Sequence, residues 1–303
     1  MGGRVSTMRR LGGSCGEREG RSGAMTPVDD EMVLGVPEIR LRPFVDRYIG
    51  YRERADVPLV RRETAGAFVV LILGWGAPLD VADPRSAERG VERVDSFVAG
   101  TFDGWCTTRT VGVGEGVELL LTPLTARRVL GLPLGELTNR AVGLGHLPGR
   151  WLDQLRHQLA DARGWPQRFA LLDAALAARL AGSPPVDARL DWAWRWLTAS
   201  GGRGGVGELA AELGWSRRHL AARFREEVGL APKTAARLLR FQHAHAALRV
   251  AAVTGSPPGR GRAVDWAEVA VRCGYYDQSH LIRDFHQFAG ATPAALLAAR
   301  PPV

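Results

Sequence analysis

The sequence predicts an α+β multidomain protein with a β-rich N-terminal domain that ends in helices and an all-α C-terminal domain. Three observations predict this fold class. Short apolar runs broken by Gly, Pro and Asp fill residues 30–148. The apolar residues take the helical period from Trp151 onward. An internal repeat near the C-terminus then indicates two helix-turn-helix units joined by a long helix.

Residues 1–24 consist largely of Gly, Ser and Arg with few apolar residues, so we expect a disordered tail. No apolar run in the 303 residues approaches the ~20 that span a bilayer, and no apolar segment follows the first arginines as in a secretory signal. We therefore expect no membrane partner and a cytoplasmic protein.

The apolar runs at residues 68–76, 96–102 and 115–124 predict strands of a sandwich or small barrel. Two helical patterns follow and end near Gly182, before a Pro-Pro pair. The predicted division is therefore a domain over 25–182, a linker over 183–186 and a domain over 187–303. In the latter, Trp192 and Trp196 lie one helical turn apart, which favours a core or docking face over ligand stacking.

Residues 208–232 align with residues 268–293 when one extra residue is allowed in the turn of the second copy. The identical pairs are Glu208/Glu268, Ala210/Ala270, Gly214/Gly274, His219/His280, Leu220/Leu281, Phe224/Phe285, Gly229/Gly290 and Pro232/Pro293. So many identities at matched spacing indicate that each copy is one supersecondary unit.

Each copy reads as a short helix, a glycine suited to the left-handed conformation, and a second helix capped by Ser216 or Asp277. Leucine and phenylalanine follow at i and i+4 on the buried side of the second helix. This order predicts helix-turn-helix units at 206–229 and 266–290. A connecting helix over 233–251, about 28 Å long, would let the two second helices read adjacent major grooves.

Residues 186–300 resemble the AraC/XylS-type DNA-binding domain of bacterial transcription regulators, most clearly in GYYDQSHLIRDFHQFAGATP. Residues 119–144 resemble, more loosely, the β-rich N-terminal module of a subset of these regulators. The resemblance implies a sequence-specific regulator that binds double-stranded DNA, with RNA polymerase as a candidate partner. Its N-terminal domain would sense a small-molecule effector or form a homodimer.

The resemblance places DNA contacts at the start of each second helix. Arg218 suits bidentate pairing with guanine, Gln278 suits an adenine edge, and Arg283 reaches a base or a phosphate. Because Ala221 and Ala222 are short, the first helix is expected to read few bases. Asp277 is expected to cap its helix rather than approach phosphate. The full predicted set is Ser216, Arg217, Arg218, Ala221, Gln278, Ser279 and Arg283.

The positive charge is concentrated in the same part of the chain. The formal net charge is +8, and Lys233 is the only lysine among 40 basic residues. Residues 186–303 hold 16 Lys/Arg and 10 Asp/Glu, a net charge of +6. Since arginine is abundant throughout, its position rather than its number supports a polyanionic partner. In the segment 255–262, Arg260 or Arg262 would clamp a phosphate, or the segment would simply be flexible.

Residues suited to catalysis or metal binding are scarce, so we expect no catalytic residue, cofactor or metal, and not an enzyme. The three cysteines form no C-x-x-C pair, and only His146 and His157 occur between residues 25 and 182. His243 and His245 diverge on a helix. His219 and His280, beside buried leucines, suit packing rather than catalysis. The alternative is a regulator fused to a catalytic or repair-type N-terminal domain, for which Cys106 would be the nucleophile.

Overall fold

The computed structural model describes residues 30–83, 91–254 and 264–298, and the backbone of Ser6–Thr7. Apart from those two residues, the predicted tail at 1–24 lies outside the described residues, as does the segment 255–262.

Among the residues that the structure describes, nine strands join through hydrogen bonds into one antiparallel sheet in the N-terminal part of the chain. They are β1 (Ser6–Thr7), β2 (Glu31–Gly35), β3 (Val45–Glu63), β4 (Val69–Gly74), β5 (Leu79–Ala82), β6 (Val91–Val94), β7 (Phe97–Ala99), β8 (Cys106–Leu121) and β9 (Ala141–Gly143). The order is β1-β2-β3-β8-β4-β7-β9, and β5 pairs with both β8 and β6. The β-rich domain is thus confirmed.

The two longest strands, β3 and β8, pair with each other along most of their length, and β8 also pairs with β4 and β5. The C-terminal end of β8 pairs with β4, and the N-terminal end of β8 pairs with β5. The pairing of β3 with β8 shifts register between Ala55 and Leu59, next to Pro58. A proline cannot donate to a strand ladder, so a bulge accommodates it within a long strand.

The strand predicted over 115–124 ends three residues early. Leu121 is the last residue of β8, and Thr122 caps the following helix by accepting a hydrogen bond from the backbone N of Thr125. Pro123 occupies the first helical position, where its missing N–H costs nothing. A cap and a proline therefore convert the end of this apolar run into a helix.

The helices follow the predicted order, and the longest of those described joins the two repeats. They are α1 (Pro123–Leu130), α2 (Trp151–Asp161), α3 (Trp165–Gly182), α4 (Ala188–Ala199), α5 (Val206–Glu212), α6 (Arg217–Val228), α7 (Pro232–Thr254), α8 (Trp266–Arg272), α9 (Gln278–Ala289) and α10 (Pro293–Ala298), with short 3-10 helices at Leu134–Leu137 and Leu144–His146. Two helices after residue 150 and a helical C-terminal domain are confirmed. None of the helices in the described ranges has the length and hydropathy needed to cross a membrane.

The N-terminal core forms between the sheet and α3. Tyr48 of β3 is fully buried and stacks on Phe169 at 5.8 Å, and its hydroxyl donates to the carboxylate of Asp173 at 2.9 Å. Trp165 covers the backbone of Gly50, where a Cβ would lie 2.4 Å from the indole ring. The absence of a side chain at Gly50 thus lets α3 lie close on the sheet.

The C-terminal core is built from both repeats and from α7. Phe241 of α7 lies edge-on to Phe285 at 4.9 Å, and both side chains are fully buried. Trp192 and Trp196 stack at 6.3 Å and pack, half-buried, against this core, as expected for a docking face. Ala65, Phe102 and Leu124 of the N-terminal domain join the same core, so the two domains pack on each other.

Candidate nucleic-acid interface

The two helix-turn-helix units have the same backbone geometry. The N–H of Trp215 donates to the carbonyl of Ala210 at 2.9 Å, and the N–H of Tyr275 donates to that of Ala270 at the same distance. The preceding glycines have φ of +64° at Gly214 and +80° at Gly274. These matched bonds make Trp215 and Tyr275 equivalent and identify Tyr276 as the extra residue of the second turn.

Side-chain caps fix the start of the two recognition helices, α6 and α9. The hydroxyl of Ser216 accepts from the backbone N–H of His219 at 3.1 Å, and the carboxylate of Asp277 accepts from that of His280 at 2.7 Å. Each histidine ring packs edge-on against the aromatic residue of its own turn, at 4.7 Å in the first unit and 5.1 Å in the second. The predicted capping and packing roles are therefore present.

The predicted DNA-contacting residues lie on the face of each recognition helix opposite the core. Leu220, Phe224, Leu281 and Phe285 are fully buried. Among the predicted contacts Ala221 is half-buried, and those that are exposed are Ser216, Arg217, Arg218, Gln278, Ser279 and Arg283.

The three arginines of this set differ in their surroundings. The guanidinium of Arg217 folds back to within 2.9 Å of where a Cβ of Gly207 would lie, so it covers the backbone of α5. No residue in the described ranges forms an ion pair with Arg218 or Arg283. These two side chains are therefore the better placed to meet a polyanion.

Two residues near the second turn escaped the sequence reasoning. Tyr276 is 90% exposed, directly before the cap of α9. The sequence feature that could have identified Tyr276 was the one extra residue in the turn of the second copy of the repeat. The side chain of Arg203 lies over Gly274, with its Cδ 2.5 Å from the position of a Cβ there. No local pattern pointed to Arg203, because 71 positions in the chain separate it from Gly274.

A buried ion pair joins the connecting helix α7 to α9. The guanidinium of Arg237 donates twice to one carboxylate oxygen of Asp284, at 3.1 and 2.5 Å. It also donates to the side-chain oxygen of Gln287 at 2.7 Å. The side chain of Asp284 is fully buried, whereas that of Arg237 is 26% exposed. The pair fixes the second recognition helix on α7, and the sequence analysis did not identify it.

His245 packs against the rings of both Phe241 and Phe285, whereas His243 is exposed on the same helix. Burial, assisted by the positive charge of Arg249, lowers the pKa of His245 to about 4. In the N-terminal sheet, burial and the neighbouring Glu63 raise the pKa of Glu118 to about 7, against the opposing effect of Arg47. The two pKa shifts make stability change with pH in opposite directions.

We expect His245→Phe to change the pH dependence of stability. The unfolded chain binds a proton at His245 below about pH 6.5, and the folded chain binds it only near pH 4. This residue therefore makes stability rise with pH over that window, by up to about 3 kcal/mol. Phenylalanine preserves the ring stacking and removes this rise, which urea unfolding between pH 4 and 7 measures.

Glu118→Gln is the counterpart of this variant. Because the folded chain keeps a proton on Glu118 up to about pH 7, this residue makes wild-type stability fall as pH rises from 4.5 to 7. Glutamine removes that fall, so the two variants should deviate from wild type with opposite slopes. Parallel pH profiles for wild type and both variants would contradict the assignment.

The N-terminal domain has a solvent-open groove of about 490 Å³ between the loop joining β6 to β7, the second 3-10 helix and α2. Arg156 lines it and lies 3.3 Å from the carboxylate of Asp153 and 3.8 Å from that of Asp95. Arg93 and His146 also line it. Both signs of charge therefore surround a space large enough for a small molecule.

Within the described residues, no three His, Cys, Asp or Glu side chains are grouped to hold a metal ion. Cys106 is half-buried and packs against the C-terminal core, and Cys273 is buried in it. Burial raises the pKa of the Cys273 thiol, which disfavours its reactive thiolate form.

Comparison with known proteins gives one family match, and it covers the two repeats. Residues 209–299 match the model of a helix-turn-helix domain. A comparison with curated protein sequences gives no match.

Among solved structures, ToxT from Vibrio cholerae O395 aligns with a TM-score of 0.45 at 7% identity, over 84% of this chain and 98% of ToxT. ToxT bound to (E)-4-(8-methylnaphthalen-1-yl)but-3-enoic acid gives 0.45 at 9% identity, over 82% and 97%. The AraC-like transcriptional activator CuxR gives 0.33 at 14% identity, over 65% and 74%.

At such low scores and identities, the assignment rests on the family model and on the matched geometry of the two repeats. Residues 209–299 are an AraC-type helix-turn-helix domain.

Proposed function

We propose that this chain is a DNA-binding transcription regulator that reads two successive major grooves of one duplex, with α6 in the first and α9 in the second. The observation that carries the proposal is the pair of equivalent units, each exposing polar side chains at the start of its capped second helix. The connecting helix α7 has 23 residues and is therefore about 34 Å long, close to one turn of B-DNA.

The two recognition helices are expected to contribute differently. In α6, Arg218 supplies the base contact, because Ala221 is short and half-buried and Arg217 covers α5. In α9, Gln278, Ser279 and Arg283 are all exposed. More of the amide- and hydroxyl-based sequence reading is therefore assigned to the second helix.

Duplexes selected by the full-length protein from a random pool should share a motif with two half-sites about one turn apart. Gln278→Ala should then relax the preference at one base position of one half-site, and Arg218→Ala should do so in the other. Each loss should amount to about 1–3 kcal/mol for the preferred base, because a bidentate contact is removed. Repeating the selection with each variant measures the change.

Arg195 and Gln158 provide matched controls, since both are exposed on helices outside the two repeats. Arg195→Ala and Gln158→Ala should leave the selected motif unchanged. A uniform weakening on all sequences by Arg218→Ala would show a phosphate contact instead of base reading. A wild-type protein that selects no motif would refute sequence-specific binding.

For the N-terminal domain we propose a role in sensing a small molecule or in pairing protomers. We also propose that the boundary between the two domains lies at residues 183–186. The groove at Arg156 supports the first role by its volume alone, because it is open to solvent and lined by charged side chains of both signs. Native mass spectrometry of the full chain records bound molecules and protomer number together, and so separates the two roles.

We propose no catalytic role for the N-terminal domain, because its candidate nucleophile, Cys106, packs against the C-terminal core. Cys106→Ser should leave DNA binding and regulation intact. RNA polymerase is the protein partner proposed for the DNA-bound regulator.

A further inference from the structure

The N-terminal domain bonds to the carbonyl end of the first recognition helix. The last four carbonyl groups of an α-helix have no partner within the helix. At the end of α6, the carbonyl of Val228 accepts from the hydroxyl of Thr101 at 3.1 Å, and that of Gly229 accepts from the hydroxyl of Thr138 at 2.6 Å. Two threonines from the sheet domain thus satisfy carbonyls that water would otherwise solvate.

The same domain bonds to the carbonyl end of the second recognition helix. In α9, the carbonyl of Phe288 accepts from the backbone N–H of Ala65 at 2.8 Å, and that of Gln287 accepts from the N–H of Trp105 at 3.2 Å. The side-chain amide of Gln287 also donates to the carbonyl of Asp103 at 2.9 Å. Both recognition helices therefore end on the N-terminal domain.

One short segment, residues 100–105, makes contacts to both helices, and we call it the bridging loop. Thr101 reaches α6, and Asp103 and Trp105 reach α9. Asn139 holds the loop: its side-chain oxygen accepts from the N–H of Asp103 at 2.8 Å, and its N–H donates to the carbonyl of Thr101 at 3.1 Å. Asn139 has φ of +56°, in the left-handed region that asparagine adopts more readily than most residues other than glycine.

The glycines that end the two recognition helices lie directly against this loop. A Cβ at Gly229 would lie 2.4 Å from the hydroxyl of Thr101, and a Cβ at Gly290 would lie 2.8 Å from the ring of Trp105. An ion pair between Arg127 of α1 and Glu227 of α6, 3.1 Å apart, lies beside the first contact. The N-terminal domain is therefore in close contact with the ends of both recognition helices.

We infer that the bridging loop, with Thr138, holds the two recognition helices in a fixed relative position and so sets the separation of half-sites that the protein accepts. The inference rests on the proposed reading of two grooves. It assigns Thr101 and Thr138 as positioning residues, which act on DNA recognition through α6. Any displacement of the N-terminal domain would then change the separation of half-sites that the protein binds.

The test compares the full-length protein with the double variant Thr101→Val, Thr138→Val. Duplexes carry the selected half-sites at the preferred spacing or with one or two base pairs inserted, each moving the second half-site by about 3.4 Å along the axis. Two inserted base pairs should weaken wild-type binding by about tenfold or more, and should weaken binding by the variant by less than about threefold. Binding to a single half-site should be equal for both proteins.

Thr107→Val is the matched control. Its hydroxyl donates to the carbonyl of Ala82 at 3.3 Å, so the same chemistry is removed entirely within the N-terminal sheet. This variant should keep the wild-type spacing profile. A merely structural contact would lower the melting temperature without changing the profile, and an unchanged profile in a folded double variant would overturn the inference.

Arg127→Ala covers the case in which the double variant does not fold, because it removes only the ion pair to Glu227 and leaves both hydroxyls. It should broaden the accepted spacing in the same direction by a smaller factor, and a wild-type profile here would also overturn the inference. If the wild-type protein selects no motif at all, the proposed two-groove reading fails instead, and that outcome is distinct from a motif whose spacing the variants do not affect.

Discussion

Gly202→Ala is expected to destabilise the C-terminal domain by about 3 kcal/mol or more. Gly202 is buried in the turn after α4 and has φ of +70°. A Cβ at this position would lie 1.9 Å from the carbonyl oxygen of Ala236 and 2.9 Å from the backbone N of Arg240. Since both atoms belong to the backbone of α7, no side-chain rotation relieves the overlap, and either α4 or α7 has to move.

Gly214→Ala is the matched control, because Gly214 has nearly the same conformation without the crowding. Its φ is +64°, and nothing lies within 4 Å of where a Cβ would be. Its replacement should therefore carry only the cost of a left-handed alanine, about 1 kcal/mol. Urea unfolding of both variants measures the difference in the free energy of unfolding. Equal losses would show that the cost of replacing Gly202 comes from its backbone conformation rather than from its close approach to α7.

Arg237→Ala should destabilise the protein by about 3–5 kcal/mol, because it leaves a buried carboxylate without its partner. Asp284 is fully buried, and its ion pair with Arg237 holds α9 on α7. Asp284→Ala should have a smaller effect, since the side chain of Arg237 is 26% exposed and its charge can reach water. Thermal or urea unfolding of the two variants tests this order.

An exposed ion pair supplies the comparison. Asp191 and Arg195 lie 2.8 Å apart on α4, with side chains 46% and 69% exposed. Asp191→Ala should change stability by no more than about 0.5 kcal/mol. If Arg237→Ala proves as mild as Asp191→Ala, the buried pair contributes little to the position of the second recognition helix.

The C-terminal domain was predictable because its signals are local. A left-handed glycine, a capping side chain and a Leu-Phe pair at i and i+4 lie within a dozen residues, and each copy repeats them. The structure shows all three, at Gly214 and Gly274, at Ser216 and Asp277, and in the buried leucines and phenylalanines. The DNA contacts themselves stay a prediction, supported by the exposure of the side chains.

The N-terminal domain was predictable only as a class. The apolar runs located β4 and β7, but β3 contains alternating charged residues and Pro58, so its 19 residues carry no apolar run. Its length depends on pairing with β8 around a bulge. The paired residues lie between 43 (Glu63 and Cys106) and 76 (Val45 and Leu121) positions apart, and such long-range pairing has no periodic signature in either strand.

The sequence by itself determined the helix-turn-helix units, their caps and their outward-facing polar residues, because short-range periodicity and backbone conformation specify them. Only the tertiary structure decided what lies at the other ends of the recognition helices. The hydroxyl of Thr101 and the carbonyl of Val228 are 127 residues apart, and the amide of Gln287 and the carbonyl of Asp103 are 184 apart. Since every residue carries a backbone carbonyl, no sequence pattern identifies which ones accept these bonds, and packing of the two domains alone brings the partners together.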